Sequence, residues 1–517
     1  MRKKLLTVFA LMLTVTLIAG CGKPVPAAGG EPATATSGSM EATGLTLPGD
    51  DWGYPSPFAF YSRGPGYIRM SLLFDTLTWK DEDGVIPWLA DEWEVSEDGT
   101  EWTFTLHPGV SWHDGEPLTA EDVAFSFEYF KQHQAASKWS WAVGTVERAE
   151  AVDGQTVVLR LTEPLAGAHE GLIGSLPIIP RHVWEGVEDP ARLASEEAVI
   201  GSGPFKLVEY SKEEARYVYG ANADYFQGAP VVGTLTFIKV ENQALALKTG
   251  TIDYASFWGK EIDAVREFED DEMVGVIDGP SFWVLKMIFN TQRAPFEDVE
   301  LRRAVAHAID RERIVSQVTH GGAVVANPGI VSPFTDWHNP NLPAYQHDRA
   351  RARALLEEAG ATDLSLTLIT TAGFAREAEL VRADVEAVGI EVNVQTGDTS
   401  TVDGLLREGS FDLAISGHGG IANPAMLETP TWPAEAYTND DYHALYQQQA
   451  ATADEGQRRE LVWQLQAIVA EELPVLTLYH PRMWTVYDAS KLDTWFYTQG
   501  GVGFGIPLSM NKLIFLP

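Results

Sequence analysis

Helix-like and strand-like segments alternate along residues 349–480, and this alternation constrains the fold more than any other feature of the sequence. In the helix-like segments apolar residues recur every three or four positions, and in the strand-like segments they form short runs. In order, the pattern predicts helix 349–359, strand 364–369, helix 375–388, strand 390–394, helix 401–407, strand 411–416, helix 457–472 and strand 475–479. Such alternation is typical of an α/β layer in which helices cover a largely parallel sheet.

Shorter patterns before this region predict a hairpin and further helices. Residues 101–107 alternate apolar with polar side chains and follow a strand-like segment at 91–95, so we expect the two to pair as a hairpin. Thr119 and Asp122 have the spacing of a capping box, which predicts that a helix begins there. Further along, Asp310 is the expected N-cap of the helix that follows it.

The N-terminus predicts export. Basic residues are followed by an apolar, uncharged stretch at 5–18, which is the pattern of a secretory signal peptide over residues 1–20. This stretch is shorter than the roughly 18 to 20 apolar residues that a bilayer-spanning helix needs. Residues 18–21 (Ile-Ala-Gly-Cys) resemble the lipobox that bacterial lipoprotein signal peptidase reads, so we expect Cys21 to be acylated and to anchor the protein in a membrane. From Cys21 to residue 43 the chain is rich in Ala, Gly, Pro, Ser and Thr, which predicts a flexible tether.

Charge and length limit the possible functions. The chain has 37 Lys and Arg against 73 Asp and Glu residues, a formal net charge of −36. A surface of this charge repels nucleic acid, so nucleic-acid partners are excluded. The 517 residues exceed what one hydrophobic core supports, since single cores stop growing at about 250 to 300 residues. Cys21 is the only cysteine, so no disulfide can form within the chain.

Six segments carry motifs that are long enough to be specific. They are Pro-Trp-Leu-Ala-Asp-Glu-Trp at 87–93, the stretch 98–123 with its Trp-His-Asp-Gly-Glu-Pro-Leu-Thr-Ala-Glu-Asp-Val, Gly-Ser-Gly-Pro-Phe-Lys-Leu at 201–207, Leu-Lys-Thr-Gly-Thr-Ile-Asp at 247–253, Phe-Asn-Thr with Pro-Phe within 289–296, and 302–311. In this order they resemble the family 5 extracellular solute-binding proteins, which are the peptide, oligopeptide and nickel receptors of ATP-driven importers. The lipobox agrees with this resemblance independently.

The resemblance implies a two-lobed α/β fold of the periplasmic-binding-protein type, class II, with an extra domain inserted in the first lobe. Mapped onto this chain, the first lobe combines 44–75, 196–280 and 487–517, the extra domain is 76–195 and the second lobe is 281–486. The resemblance also implies capture of a solute between the lobes and its delivery to the permease subunits of an ABC transporter. The expected location is the extracytoplasmic face of the cell membrane, which is the periplasmic side in a Gram-negative cell.

The strand at 411–416 is followed by Gly-His-Gly-Gly, and this glycine turn is the first candidate for the ligand site. Ligands of open α/β sheets bind beyond the carboxyl ends of the strands, and glycine lets the backbone approach a ligand closely. Aromatic walls with a few polar groups are typical of such pockets. The candidate ligand-binding residues are therefore His418, Gly419, Gly420, Asn423, Trp283, Trp432 and Tyr61. Each has a structural alternative, which is a tight turn for the glycines and Asn423, a hydrogen-bonding or packing role for His418, and a core position for the aromatic residues.

The glycine turn also departs from the family. Peptide receptors of this family resemble Gly-Trp-x-Gly-Asp here, with the aspartate pairing the free ammonium group of the peptide, whereas this chain has His418 and Ile421 in place of the tryptophan and the aspartate. An ammonium group facing isoleucine would lose about 2 to 5 kcal/mol of charge-assisted hydrogen bonding. We therefore expect that the solute is not a simple free-amine peptide. Amine-blocked or modified peptides, oligosaccharides, opine-like compounds and metal complexes stay open.

The sequence contains no coherent catalytic set. Ser509 and Lys512 match Ser-x-x-Lys, but the Lys-Thr-Gly that should follow this motif lies upstream at 248–250. The nucleophile elbow Gly-x-Ser-x-Gly does not occur. We predict a receptor that is not an enzyme, without a cofactor or a resident metal, and a monomer whose partners are the solute, the permease and the membrane. The alternatives are an extracytoplasmic ligand sensor and a secreted hydrolase.

Overall fold

The computed structural model describes residues 43–61, 64–280, 282–325, 327–361, 363–419, 424–452, 454–503, 506 and 509–517. The predicted signal peptide, Cys21 and residues 22–42 of the tether lie outside the described residues, and so do Gly420, Ile421 and Asn423 of the predicted site. In the described part of the chain, no helix is both long and apolar enough to cross a membrane.

The strands, in chain order, are β1 (Thr43–Pro48), β2 (Thr78–Lys80), β3 (Val85–Pro87), β4 (Ala90–Val95), β5 (Glu101–Leu106), β6 (Val146–Ala151), β7 (Thr156–Leu161), β8 (Phe205–Ser211), β9 (Arg216–Ala221), β10 (Val232–Ile238), β11 (Tyr254–Trp258), β12 (Val274–Gly279), β13 (Val284–Phe289), β14 (Ala323–Val324), β15 (Ser365–Thr371), β16 (Glu391–Gly397), β17 (Leu413–His418), β18 (Val475–Pro481) and β19 (Met483–Asp488). The α-helices are α1 (Gly64–Ser71), α2 (Ala120–Gln132), α3 (Ser140–Val143), α4 (Arg181–Trp184), α5 (Gln243–Lys248), α6 (Ile262–Arg266), α7 (Val299–Ala308), α8 (Arg311–Thr319), α9 (Arg349–Glu358), α10 (Ala375–Glu386), α11 (Thr399–Arg407), α12 (Asp440–Ala450) and α13 (Glu455–Glu472).

The predicted α/β layer is a six-stranded sheet in the order β14-β18-β13-β17-β15-β16. The four predicted strands, β15 to β18, run in one direction, but β13 lies between β17 and β18 and runs opposite to both. The pairings of β15 with β16 and β17 are parallel, and the pairings that involve β13 or β14 are antiparallel. The expectation of a largely parallel sheet is therefore wrong, because the sheet is mixed. The alternation in the sequence begins after β13 and carries no information about its direction.

Both faces of this sheet are covered, since side chains of successive strand residues point to opposite faces. Met287 and Ile415 belong to a buried cluster with residues of α7 to α10. Ile288 and Ala414, their neighbours on the same strands, belong to a buried cluster with residues of α11 to α13. The predicted helices between 349 and 472 are thus confirmed as the layers on either side of the sheet.

The predicted hairpin and capping box are also confirmed. β4 pairs antiparallel with β5 in a four-stranded sheet of order β4-β5-β7-β6. At the start of α2, the Asp122 carboxylate accepts hydrogen bonds from Thr119 N at 2.9 Å and from Thr119 Oγ1 at 3.0 Å. Asp310 caps α8 as expected, because its side chain accepts a hydrogen bond from Arg313 N at 2.9 Å.

Two further sheets complete the framework that positions the site. One has the order β1-β10-β9-β8, and the other is the three-stranded sheet β11-β19-β12. β19 follows β18 after Arg482 alone, yet it pairs with β11 and β12, and β12 leads into β13 through residues 280–283. Two short connections, which lie next to each other, therefore join the six-stranded sheet to the three-stranded sheet. β19 begins before the predicted end of the second lobe at 486, and the domain limits stay a prediction.

Candidate ligand-binding site

The carboxyl ends of β15 and β17 lie next to each other at one end of the six-stranded sheet, because these strands are parallel neighbours. We call this end the carboxyl edge of the sheet. β17 ends at His418, so the predicted glycine turn starts inside the strand and Gly419 follows it directly. β15 ends at Thr371 and leads into a short 3₁₀ turn, Ala372–Phe374. The fold therefore places the segments after two adjacent strands at the edge where α/β sheets bind ligands.

Trp283 lies against the glycine turn. It directly precedes β13, and Val284 of β13 pairs with His418 of β17. A Cβ atom at Gly417 would lie 2.6 Å from Cζ3 of the Trp283 indole, and one at Gly419 would lie 2.7 Å from its Nε1. Glycine at both positions therefore leaves room for the indole ring across the end of β17. The structure thus brings together Trp283 and Gly419, and their role in binding stays a prediction.

Trp283 and Trp258 form two walls of a cavity of about 370 Å³ at this edge, which we call the aromatic pocket. The indole rings meet edge to face, with 6.1 Å between their centroids and 74° between their planes. The other lining residues come from β13, β18, the turn after β15 and the segment after β11, and they are Gly259, Lys260, Glu261, Leu285, Gly373, Phe374, Tyr479 and Pro481. A mostly apolar cavity of this size fits part of a small organic solute.

Sequence reasoning missed Trp258 and Phe374 as parts of this pocket. Phe374 follows the carboxyl end of β15, so the rule that singled out the turn after β17 would have found it if applied to the strand predicted at 364–369. Trp258 is the last residue of β11, which lies far from the alternating region in the sequence. Its contact with Trp283 depends on the crossing of the chain between two sheets, which no local pattern reports.

Charged groups close one side of the aromatic pocket. Lys260 Nζ lies 2.7 Å from Oε1 of Glu377 and donates a hydrogen bond to Gly373 O at 2.8 Å. The Glu377 side chain is fully buried and accepts a hydrogen bond from Tyr479 Oη at 2.7 Å. Burial raises the pKa of the neighbouring Glu261, whose carboxylate accepts a hydrogen bond from Trp258 N at 2.9 Å. These contacts hold Lys260 and Tyr479 in place as fixed polar groups beside the apolar walls.

His418 points away from the aromatic pocket. It alternates with Gly417 along β17, and its side chain is 3% exposed, with no hydrogen-bond partner at either ring nitrogen. Its ring meets that of Trp432 edge to face, with 5.3 Å between the centroids. Burial, and then the nearby Lys286 and His480, lowers the pKa of His418 well below its ordinary value. His418 is therefore a neutral imidazole beneath the exposed Trp432, and the binding roles of both stay a prediction.

A buried basic cluster, formed by Lys286, His418 and His480, lies next to the pocket. Lys286 is 0% exposed, and its Nζ donates a hydrogen bond to Pro430 O at 2.6 Å. His480 donates from Nδ1 to Trp283 O at 2.9 Å, since a carbonyl can only accept. Burial lowers the pKa of Lys286 well below its ordinary value and that of His480 to about 4. No carboxylate of the described ranges forms an ion pair with Lys286.

Tyr61 lies beside a different cavity. Its exposed ring packs on Trp52, with 6.1 Å between the centroids. Trp52 is one wall of a cavity of about 320 Å³, which we call the arginine cavity because Arg69 lines it. Tyr254 and Ser256 of β11 line it as well. The structure therefore separates Tyr61 from the group formed by Trp283 and the glycine turn.

Strand β11 connects the two cavities. Tyr254, Ser256 and Trp258 are alternate residues of this strand, so their side chains lie on one face, about 7 Å apart at each step. Tyr254 and Ser256 line the arginine cavity, and Trp258 lines the aromatic pocket. The two cavities therefore lie along a single strand face.

The chain is similar to known binding proteins over most of its length. The family model described as "Bacterial extracellular solute-binding proteins, family 5 Middle" matches residues 84–439. The dipeptide-binding protein of Escherichia coli K12 is 26% identical over 464 residues, 81% of this chain and 84% of that protein. The nickel-binding periplasmic protein of the same organism is 26% identical over 376 residues, 67% of this chain and 70% of that protein.

Solved structures confirm the fold class. NikA from Brucella suis in complex with Fe(III)-EDTA has a TM-score of 0.78 at 22% identity, covering 90% of this chain and 99% of that chain. This likeness confirms the predicted two-lobed α/β fold of the periplasmic-binding-protein type. Together with the family model, which spans well over half of the sequence, it confirms the resemblance found in the motifs. The chain belongs to family 5 of the bacterial extracellular solute-binding proteins.

Proposed function

We propose that this protein is the solute-binding component of an ABC importer. It is held on the extracytoplasmic face of the membrane by acylated Cys21, captures a peptide-like or other oligomeric solute, and delivers it to the permease subunits. The observation that carries the proposal is the aromatic pocket, which lies at the carboxyl edge of the six-stranded sheet and beside both connections to the three-stranded sheet. The names of the relatives, a dipeptide-binding and a nickel-binding protein, support a small solute.

The chemistry of the aromatic pocket favours binding over reaction. Lys260 and Glu261 are its charged lining groups, and Lys260 is engaged by Glu377 and by a backbone carbonyl. Among the residues that the structure describes, the lining contains no serine, cysteine or threonine that a neighbouring base could activate. A pocket of this composition holds a solute by contact with rigid aromatic rings and by a few fixed polar groups.

The Ser-x-x-Lys match lies in the core rather than in a cavity of this kind. Ser509 Oγ is 3.1 Å from Tyr254 Oη and 2.5 Å from Thr485 Oγ1. Lys512 is paired with the buried Asp75. Both motif residues are therefore used in packing the fold, which disfavours the hydrolase alternative.

Apolar burial in the aromatic pocket can supply a large part of the free energy that capture requires. A dissociation constant of 1 μM corresponds to about −8 kcal/mol. Burial of about 400 Å² of apolar surface would contribute roughly 10 kcal/mol at 25 cal/mol per Å². The loss of translational and rotational freedom consumes several kcal/mol of this, so hydrogen bonds to the solute are also required.

Native mass spectrometry of the gently purified protein tests the proposal. We expect a bound solute in the wild-type protein and, with that solute identified, a loss of affinity of roughly 30-fold or more in Trp283→Ala, as for a buried aromatic contact worth about 2 kcal/mol. Trp463→Ala is the matched control, because Trp463 is a half-buried tryptophan of α13 outside the pocket lining. Equal affinity of wild type and Trp283→Ala would show that the solute binds elsewhere.

Uptake measurements separate import from sensing. A strain without this protein is expected to lose uptake of the identified solute, and the wild-type gene to restore it. Cys21→Ala is expected to release the protein from the membrane fraction, because the acyl chains are then absent. Unchanged uptake in the deletion strain, together with a changed transcriptional response to the solute, would favour the sensor alternative.

A further inference from the structure

Arg69 is a buried cation without an anionic partner. It lies on α1 with 3% of its surface exposed, and its guanidinium carbon is 3.2 Å from the centroid of the Phe237 ring and 5.6 Å from that of Tyr217. Nη1 contacts Met510 Sδ at 3.9 Å, and Nε has no hydrogen-bond partner. Within the described residues, no carboxylate forms an ion pair with it. A buried charge left in this state costs several kcal/mol.

Other buried arginines of this chain are satisfied. Arg302 donates hydrogen bonds to Glu472 O at 2.7 Å and to Phe296 O at 2.5 Å. Arg311 donates to the carbonyls of Thr477 and Tyr345, both at 3.1 Å. These two arginines bind the main chain and stabilise the fold. Arg69 makes no such hydrogen bond to the main chain of the described residues, so stacking on Phe237 and Tyr217 alone leaves its charge without a counter-charge.

The surroundings of Arg69 form a polar chamber. Ser256 Oγ is buried without a hydrogen-bond partner, and Gln243 accepts a hydrogen bond from Ser256 N at 3.0 Å through its side chain. A Cβ atom at Gly49 would lie 2.9 Å from Arg69 Nη2, so glycine keeps that edge of the guanidinium uncovered. Asp50 also lines the cavity, with its Oδ1 3.4 Å from Lys239 Nζ. Burial lowers the pKa of Arg69 to about 10, so the guanidinium stays charged at neutral pH.

We infer that Arg69 and Ser256 form a subsite for an oxyanion group, a carboxylate or a phosphate, that is part of the captured solute. The inference rests on the proposed function and specifies its substrate class. The Tyr254–Trp258 strand face leads from this subsite to the aromatic pocket in steps of about 7 Å, so one extended solute of a few residues reaches both cavities. Such a solute would place an anionic end against Arg69 in the arginine cavity and an apolar part between Trp258 and Trp283 in the aromatic pocket.

The test is thermal unfolding of the solute-free full-length mature protein in sodium acetate, sodium phosphate or sodium chloride at matched ionic strength. Acetate or phosphate is expected to raise the Tm by about 1 to 2 °C over chloride at tenfold excess over the dissociation constant. A response to acetate identifies a carboxylate, and a response to phosphate alone identifies a phosphoryl group. Equal Tm values in the three salts would overturn the inference.

Three variants assign the response to Arg69. Arg69→Met keeps an apolar stem over Phe237 without the charge, and we expect it to lose the anion response while its solute-free Tm stays equal or rises. Arg69→Lys retains the charge without the planar fork, so a reduced response is expected. Arg148→Met removes an exposed arginine paired with Glu150 and should respond like the wild type. A full anion response in Arg69→Met would overturn the inference.

The native solute separates this inference from the proposed function. Binding that is weakened by Trp283→Ala and by Arg69→Met supports both. Binding that is weakened by Trp283→Ala and unchanged in Arg69→Met overturns the oxyanion subsite and leaves the importer function intact. An anion response in a protein whose deletion does not change solute uptake leaves the subsite intact and overturns the importer function.

Discussion

Two buried lysines in this protein have opposite surroundings. Lys512 is 1% exposed, forms an ion pair with Asp75, and places Nζ 4.1 Å from the centroid of the Trp79 ring. Lys286 is 0% exposed and donates to the Pro430 carbonyl, with His418 and His480 nearby and no carboxylate partner among the residues described. Burial lowers the pKa of both lysines, and at Lys512 the Asp75 carboxylate opposes that shift.

The difference separates framework from site. Asp75 also accepts hydrogen bonds from Trp88 Nε1 at 2.8 Å, Ser202 Oγ at 2.9 Å and Tyr225 Oη at 3.0 Å, so the Lys512 pair is the centre of a satisfied network. Around Lys286, the ring nitrogens of His418 have no partner. Unsatisfied polar groups are rare in cores and concentrate at functional regions. The Lys512 pair is therefore satisfied by its partners, whereas the basic cluster beside the aromatic pocket leaves buried ring nitrogens unpaired.

The largest expected effect is the loss of the framework pair. Lys512→Met leaves the Asp75 carboxylate buried without its cation, and we expect a loss of about 3 to 5 kcal/mol in the free energy of unfolding. Urea denaturation measures it. Lys248→Met is the matched control, because its pair with Glu267 is exposed and should contribute less than about 1 kcal/mol. A small loss of unfolding free energy in Lys512→Met would show that the paired lysine is no more important to stability than the unpaired Lys286.

Acid should destabilise the region of the basic cluster. Burial depresses the pKa of His480 to about 4 in the folded protein, against about 6.5 in the unfolded chain. As pH falls through this window the unfolded state binds the proton first, so the free energy of unfolding falls by about 3 kcal/mol for this group. His480→Phe should flatten that part of the pH profile in urea denaturation. Burial also lowers the pKa of His113 to about 4, so this residue contributes to the same part of the profile. The measurement is therefore the difference in unfolding free energy between His480→Phe and the wild type at each pH.

The contact between His418 and Trp432 should be worth less. Trp432 is 42% exposed and touches His418 edge to face, so Trp432→Ala is expected to cost about 1 kcal/mol of stability. The same variant tests the predicted ligand role of Trp432, which calls for a separate loss of solute affinity. If Trp432→Ala binds the solute as tightly as the wild type despite this small loss of stability, the role of Trp432 is limited to covering the basic cluster.

The smallest change is expected at the unpaired lysine. Lys286→Met removes a buried amine whose charge the fold does not use, so the free energy of unfolding should stay within about 1 kcal/mol of the wild type or rise. Comparison with Lys512→Met under the same conditions gives the sharpest form of the contrast. A loss as large as that of Lys512→Met would show that Lys286 carries a structural charge.

Local signals predicted much of the fold. The spacing of Thr119 and Asp122 and the position of Asp310 gave true helix starts, because a capping side chain acts on backbone groups two or three residues away. The direction of β13 and the pairing of β19 with β11 could not be predicted in this way. Both depend on partners more than 100 residues distant, and no periodicity within a strand identifies its neighbours.

The arrangement of the candidate site was predicted in part for a related reason, and its role in binding stays a prediction. Trp283 and Gly419 were named, and they meet. The strand was expected to end at 416, but β17 continues to His418, and this extension puts His418 on the face opposite to Gly417. A side chain expected to face the ligand is therefore buried behind the strand. Arg69 was not predicted, because its position beside the arginine cavity depends on tertiary packing.

The single residue between β18 and β19 has a consequence for the pocket. Arg482 and the short link from β12 to β13 are two neighbouring points at which the main chain passes from one of these sheets to the other. Trp283 lies in the link from β12 to β13, and Pro481 directly precedes Arg482. Both residues line the aromatic pocket. An occupant of the pocket would therefore contact the residues through which one sheet is joined to the other, so that the seam between the sheets is itself part of the pocket wall.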